Sequence, residues 1–166
     1  MLIRPETSND YRTIRTINIE AFVHHPFSHQ TEHLIVDELR DSNALTISLV
    51  AEDQGDVVGH IAFSPALING TDQGWFTLGP VAVLPGRQRQ GIGTLLINDG
   101  LKALRQVGAH GCLLVGDPAY YKRFGFVHSE SLSVHDVPAE YFMCLSFTND
   151  TPKGIAAHHP AFYVTA

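Results

Sequence analysis

Gly79-Pro80-Val81-Ala82-Val83-Leu84-Pro85-Gly86-Arg87-Gln88-Arg89-Gln90-Gly91-Ile92-Gly93 runs without a break into Thr94-Leu95-Leu96-Ile97-Asn98-Asp99-Gly100-Leu101-Lys102-Ala103-Leu104-Arg105-Gln106-Val107. Val81-Ala82-Val83 reads as the end of a strand, the residues up to Gln90 as a basic turn, and the remainder as an amphipathic helix. Thr94, Asn98, Lys102 and Arg105 form its polar stripe, while Leu96, Ile97, Leu101, Leu104 and Val107 cover the other side at the 3.6-residue period. Gly108 ends the helix, and Cys112-Leu113-Leu114-Val115 is short and wholly apolar, as a buried parallel strand should be. The result is a βαβ unit whose loop lies at the carboxyl end of the first strand, where open α/β sheets bind ligands.

The loop has the chemistry of a phosphate cradle. Backbone N–H groups at a helix start have no intrahelical acceptor, and the helix dipole adds partial positive charge there. Gly91 and Gly93 let the backbone approach phosphate oxygens closely, and Arg87 and Arg89 supply charged donors. A dinucleotide fingerprint needs a third glycine where Leu96 stands, and a nucleoside-triphosphate loop needs a Gly-Lys-Ser/Thr end that is absent. The stretch is therefore read as the pyrophosphate cradle of another kind of coenzyme.

Outward from this unit, residues 2–4 predict a first strand. Thr7 and Asp10 form a capping box ahead of Tyr11, Ile14, Ile17 and Ala21 at helical spacing, and that helix should end near His24-His25-Pro26. A second helix is expected over residues 30–40. Leu45, Ile47, Leu49 and Ala51 alternate with Thr46, Ser48 and Val50 as a strand. The Asp53-Gln54-Gly55-Asp56 turn makes residues 57–67 its hairpin partner, and Asn69-Gly70 leads to a strand over 75–84. Gly116-Asp117-Pro118 starts a short helix through Tyr120, Tyr121 and Phe124. Residues 141–147 and 155–157 read as closing strands around the Asn149-Asp150-Thr151-Pro152 turn.

At 166 residues and 44% hydrophobic, the chain fits a single domain, residues 1–166. A net charge of −6, scattered along the chain, argues against nucleic acid as a partner and suits a cationic substrate such as an amine. Cys112 and Cys144 lie in apolar runs and read as buried, reduced thiols. Neither a signal peptide nor a membrane span is recognisable, so a cytoplasmic location is expected.

Gln88, Gly91 and Gly93 directly after Val81-Ala82-Val83, together with Tyr121-Lys122-Arg123-Phe124-Gly125-Phe126, resemble the paired motifs of the GNAT superfamily of acetyl-CoA-dependent N-acetyltransferases. Gly116-Asp117-Pro118-Ala119-Tyr120-Tyr121, Leu78-Gly79-Pro80-Val81-Ala82-Val83 and the tail His159-Pro160-Ala161-Phe162 resemble its YhbS-like subgroup. The resemblance spans essentially the whole chain. It implies an α/β (α+β) fold, with a mixed, mostly antiparallel central sheet flanked by helices. Acetyl-CoA would lie in a V-shaped opening between the strand ending at Leu84 and the strand over 112–115, splayed by a bulge at Gly79-Pro80. Val81, Ala82 and Val83 would meet the pantetheine arm. Gln88, Arg89, Gln90, Gly91, Ile92, Gly93 and Thr94 would hold the pyrophosphate. An amine would attack the thioester directly in a ternary complex, and Tyr121 would protonate the departing thiolate. The family often forms homodimers.

The chain departs from the family in two places. Asp117-Pro118 stands where many members carry an Asn, and Thr77-Leu78-Gly79 offers no Glu as base. Glu32, Glu38, His60 or a water chain remain open for that role. A catalytically silent acyl-CoA-binding module is an alternative. A metal hydrolase is a remote one, because His29-Gln30-Thr31-Glu32-His33 matches an inverted zinc-protease pattern on an expected helix. His24-His25 and His158-His159 read as exposed or hydrogen-bonded histidines.

Overall fold

A computed structural model describes residues 1–165. β1 (Leu2–Pro5), β2 (Ile47–Asp53), β3 (Asp56–Ile68) and β4 (Thr71–Val83) pair antiparallel with one another in that order. Gln54-Gly55 and Asn69-Gly70 both take positive φ, the conformation of tight hairpin turns between right-twisted strands. β5 (Gly111–Val115) is parallel to β4, reached through α3 (Ile92–Gln106), and β7 (Phe142–Ser146) closes the sheet antiparallel to β5. The sheet is therefore mixed and mostly antiparallel, in the order β1-β2-β3-β4-β5-β7.

Each face of the sheet has its own helices. α3 packs on β2, β3 and β4, burying Leu96, Ile97, Leu101 and Leu104 against Ile61, Phe63 and Leu78. Gly100 lets it approach: an ideal Cβ there would sit 2.4 Å from Phe63 Cε2. α1 (Tyr11–Phe22) lies on β3 and β4 from the opposite face, and α2 (Glu32–Asp41) packs on α1. Asp10 is the anchor at the start of α1. It accepts from the Thr7 N–H at 2.7 Å and from Arg4 at 2.7 and 3.0 Å. The Arg4 guanidinium holds its carboxyl down at about 2, with burial opposing.

Several expectations need correcting. α2 starts at Glu32, so His29 lies outside it and does not share a helical face with His33. Val50 is wholly buried, because β2 is covered on both faces. Val107 lies beyond the end of α3 and is 57% exposed. β7 and β8 (Gly154–Ala157) are not partners around the 149–152 turn. β7 takes the free edge of β5, whereas β8 pairs with Leu67 and Ile68 at the end of β3. A strand not expected from the sequence, β6 (Leu132–Val134), pairs parallel with β8; three residues are too few to show a period. Cys112 and Cys144 are free and buried, and burial pushes both thiols up, that of Cys144 to about 12.

Between α1 and the sheet lies a buried polar group. His60 on β3 is wholly buried, with Nε2 2.9 Å from Ser48 Oγ and Nδ1 3.3 Å from Asn18 Nδ2. Burial first, then the charge of Arg40, lowers its pKa from 6.5 to about 3. The ring folds neutral but gains a proton in the unfolded chain below pH 6.5. Its contribution is therefore complete above that pH and shrinks as pH falls toward 3.

Between pH 7 and 4 the urea midpoint of the protein should fall, and His60→Gln should flatten that slope; an equal slope would assign the loss to other groups. Gly100→Ala, measured by thermal melting, should cost about 2 kcal/mol by overpacking against Phe63, a melting shift of about 6 °C.

Candidate active site

The strand that leads into the site keeps its partner to the end, Leu84 N–H donating to Val58 O at 3.0 Å. Pro85–Arg87 then makes one tight turn, and Arg89 and Gly91 both take positive φ, +62° and +84°, before α3 begins. The loop is tied down from three points. Arg87 Nη2 reaches Asp53 Oδ2 at 2.7 Å, Arg87 Nε donates to Gln90 Oε1 at 3.2 Å, and Gln88 Nε2 donates to Val83 O at 3.0 Å. Arg87, Gln88 and Gln90 thus shape the loop through their side chains, and Arg89 is left without an ion pair among the described residues. Ile92, Gly93 and Thr94 are the first residues of α3, so their N–H groups have no intrahelical acceptor.

Beside this loop the sheet opens. β4 and β5 are paired only at Trp75, Phe76 and Thr77. On the β3 side, Ile61 pairs with Val81 but Phe63 with Leu78, so β4 carries one extra residue at Gly79-Pro80. Beyond it β4 is paired with β3 alone, and β5 from Leu114 onward with β7 alone. The expected bulge and splay are both present. A cavity of about 580 Å³ lies at the opening, lined by Val81 and Val83, by Arg89 and the residues 91–94, and across from them by Tyr120 and Arg123. Ala82 is buried, and its Cα pairs with that of His60.

The far wall is α4 (Pro118–Tyr121), capped by Asp117, whose Oδ1 accepts from Ala119 N at 2.9 Å. Asp117-Pro118 is therefore a cap with proline in the first turn, which accounts for these residues in structural terms. Tyr120 faces α3: an ideal Cβ on Gly93 would lie 3.2 Å from its hydroxyl. Arg123 stacks over the Tyr120 ring at 4.6 Å and donates from Nε to its carbonyl at 2.9 Å. It is a second cation in the cavity that the motif left unassigned, although Arg123 stood within the Tyr121–Phe126 segment. Tyr121 packs deeper, edge-on to Phe126 at 6.1 Å and against Gly116, where an ideal Cβ would lie 2.5 Å from its ring. Burial first, then Tyr120, Cys112 and Asp117, push its phenol above the ordinary range. It is protonated at every physiological pH and can donate a proton, not accept one.

The candidate bases fare differently. His60 is sealed in the sheet with both ring nitrogens engaged. Glu32 accepts from Ser28 Oγ at 2.6 and 2.9 Å at the start of α2, and Glu38 is exposed on that helix. Among the described residues no three His, Cys, Asp or Glu side chains come close enough to share a metal, and no helix is long and apolar enough to cross a membrane.

The acetyltransferase (GNAT) family matches residues 11–126. The Escherichia coli K12 protein YhbS, named an uncharacterized N-acetyltransferase, is 37% identical over 138 residues, covering 82% of this chain and 78% of its own. A GNAT family acetyltransferase from Brucella melitensis, solved in complex with acetyl-CoA, superposes with a TM-score of 0.88 at 50% identity, covering 97% of both chains. E. coli YhbS, solved in complex with CoA, gives 0.86 at 30% identity, covering 99% of this chain and 93% of its own. With the splayed strands, the loop at the start of α3 and these similarities in agreement, the chain belongs to the acetyltransferase (GNAT) family and is an N-acetyltransferase related to YhbS.

Proposed function

We propose that the protein transfers the acetyl group of acetyl-CoA to an amine by direct attack within a ternary complex. One observation carries this: the cavity connects the start of α3 and two unpaired cations with the unpaired edge of β4. The fit to the donor is chemical. Arg89, Arg123 and the N–H groups at the start of α3 suit a pyrophosphate, and Val81 and Val83 suit the less polar pantetheine arm. The complexes of the Brucella and E. coli proteins with acetyl-CoA and CoA support the same donor.

In this mechanism an N–H of Val81–Val83 polarises the thioester carbonyl, which lowers the cost of the oxyanion that forms on attack. The amine nitrogen forms the C–N bond, the C–S bond breaks, and Tyr121 gives its proton to the departing thiolate. The reaction belongs to the cytoplasm, where acetyl-CoA is supplied. The acceptor is a small-molecule or peptide amine, and a screen following CoA thiol release over spermidine, free amino acids, aminoglycosides and N-terminal peptides tests that statement.

Tyr121→Phe should lower kcat at least 10-fold while leaving acetyl-CoA affinity within a factor of two; undiminished turnover would remove Tyr121 as the acid. A wild-type protein that binds acetyl-CoA but acetylates nothing in the screen would favour the silent binding module instead. At Gly91, where φ is +84°, a β-branched residue is strained. Gly91→Val should weaken acetyl-CoA binding about 10-fold by calorimetry on a folded variant, and unchanged affinity would sink the cradle assignment.

A further inference from the structure

On the sheet face away from α3, the chain leaves β8 at Ala157 and passes through His158 into the short turn Pro160–Tyr163. Thr77, 2% exposed, is the last residue of β4 paired with β5, and its Oγ1 lies 2.8 Å from His158 Nδ1. The Phe162 ring packs on the imidazole at 5.1 Å between centroids. Phe162 also borders the bulge, its Cε1 3.9 Å from an ideal Cβ on Gly79, and it is held in turn by the cluster of Ile35, Leu39 and Ala44. The imidazole is thus fixed from two sides at the point where β4 leaves β5.

Three of the imidazoles differ in what their nitrogens do. His60 uses both, and His159 accepts the Ala161 N–H at Nδ1 at 3.0 Å, which puts the proton of its neutral ring on Nε2 and leaves no lone pair there. His158 uses Nδ1 alone. Its Nε2 has no protein partner and is not among the polar atoms sealed from solvent. Burial lowers the pKa of His158 to about 4, and it forms no ion pair among the described residues, so the ring is neutral at physiological pH.

We propose that His158 is the base for the acceptor, taking through Nε2 the proton of the attacking amine, with Thr77 as the positioning residue that fixes the tautomer. This rests on the acetyltransfer reading above. The acceptor enters as the free amine. As its lone pair forms the C–N bond, the nitrogen becomes acidic and gives one proton to Nε2. The C–S bond breaks, and the thiolate takes the proton of Tyr121. The imidazolium then loses its proton to water and the Tyr121 phenolate regains one, so amine and acetyl-CoA become amide and CoA. A proton on Nδ1, donated to Thr77 Oγ1, leaves the Nε2 lone pair free for this step.

The tautomer is tested without any acceptor. Long-range nitrogen–proton NMR of the wild-type protein with acetyl-CoA should show His158 protonated on Nδ1 and bare at Nε2; a proton on Nε2 overturns the proposal. Kinetics use acetyl-CoA with an amine from the screen. His158→Ala and His158→Gln should each lose about 100-fold in kcat, with acetyl-CoA affinity and a cooperative melt kept. Added imidazoles should restore turnover to His158→Ala, the rate rising with their pKa. Thr77→Val should lose about 10-fold and Thr77→Ser regain it. Failure of imidazole rescue in an otherwise folded, acetyl-CoA-binding variant overturns the role of His158 alone. A wild-type protein inert toward every amine overturns the acetyltransfer reading and this role with it.

Discussion

Three residues of parallel pairing organise this molecule. Trp75, Phe76 and Thr77 bond to β5, and then one extra residue in β4 turns its backbone away. A strand edge inside a sheet leaves peptide groups unmatched, and such groups demand a partner. Here each parted strand keeps a neighbour on its outer side, β3 for one and β7 for the other, so the sheet stays intact around the opening. The loss of ladder bonds is local, and it creates a strip of free N–H and C=O groups in the middle of the fold. A linear, amide-bearing ligand is the natural complement to such a strip.

The two faces of the sheet divide the chemistry. On the α3 side lie the loop, Arg89, Arg123 and the stacked Tyr120, all suited to an anionic donor. On the other side α1, α2 and the C-terminal turn enclose Thr77, His158 and Phe162. The bulge joins the two, because from there on the backbone of β4 faces the gap. Rigidity is unevenly spread in a way that fits this division. The loop before α3 is pinned by Arg87 to Asp53 and by Gln88 to Val83, whereas His158 is held by one hydrogen bond and one ring contact.

Charge economy around the loop comes from the same geometry. Five polar side chains crowd residues 87–94, yet three of them are occupied with one another, with the hairpin turn or with the β4 backbone. Two cations without an ion pair among the described residues, Arg89 and Arg123, line the cavity, and they come from different segments of the chain. Tyr120 connects Arg123 with the start of α3, packing on Gly93 with its hydroxyl and carrying Arg123 on its ring face.

Much of this was legible in the order of residues. Periodicity marks α3, hairpin dipeptides mark β2, β3 and β4, and the glycines at 91 and 93 mark the turn into α3, because each of these is a local property of backbone and side-chain spacing. β6 was not legible, since three residues carry no period, nor was the separation of β7 from β8, which depends on which edges are free elsewhere. The partnering of Arg87 was equally hidden: Asp53 is 34 residues away, and only the packed hairpin brings it within 2.7 Å. His158 shows the same limit most clearly. In sequence it is one of ten histidines beside another, and nothing local separates it from His159. Its place against Thr77, 81 residues earlier, exists only because β8 docks on the far end of β3 and delivers the chain to the bulge. Contiguous motifs were enough for most of the elements, the family and the identity of the donor, since each is written within a short run of residues. Which cations of the loop are paired and which imidazole meets Thr77 at the bulge were settled by contacts between distant segments, and those exist only in the folded chain.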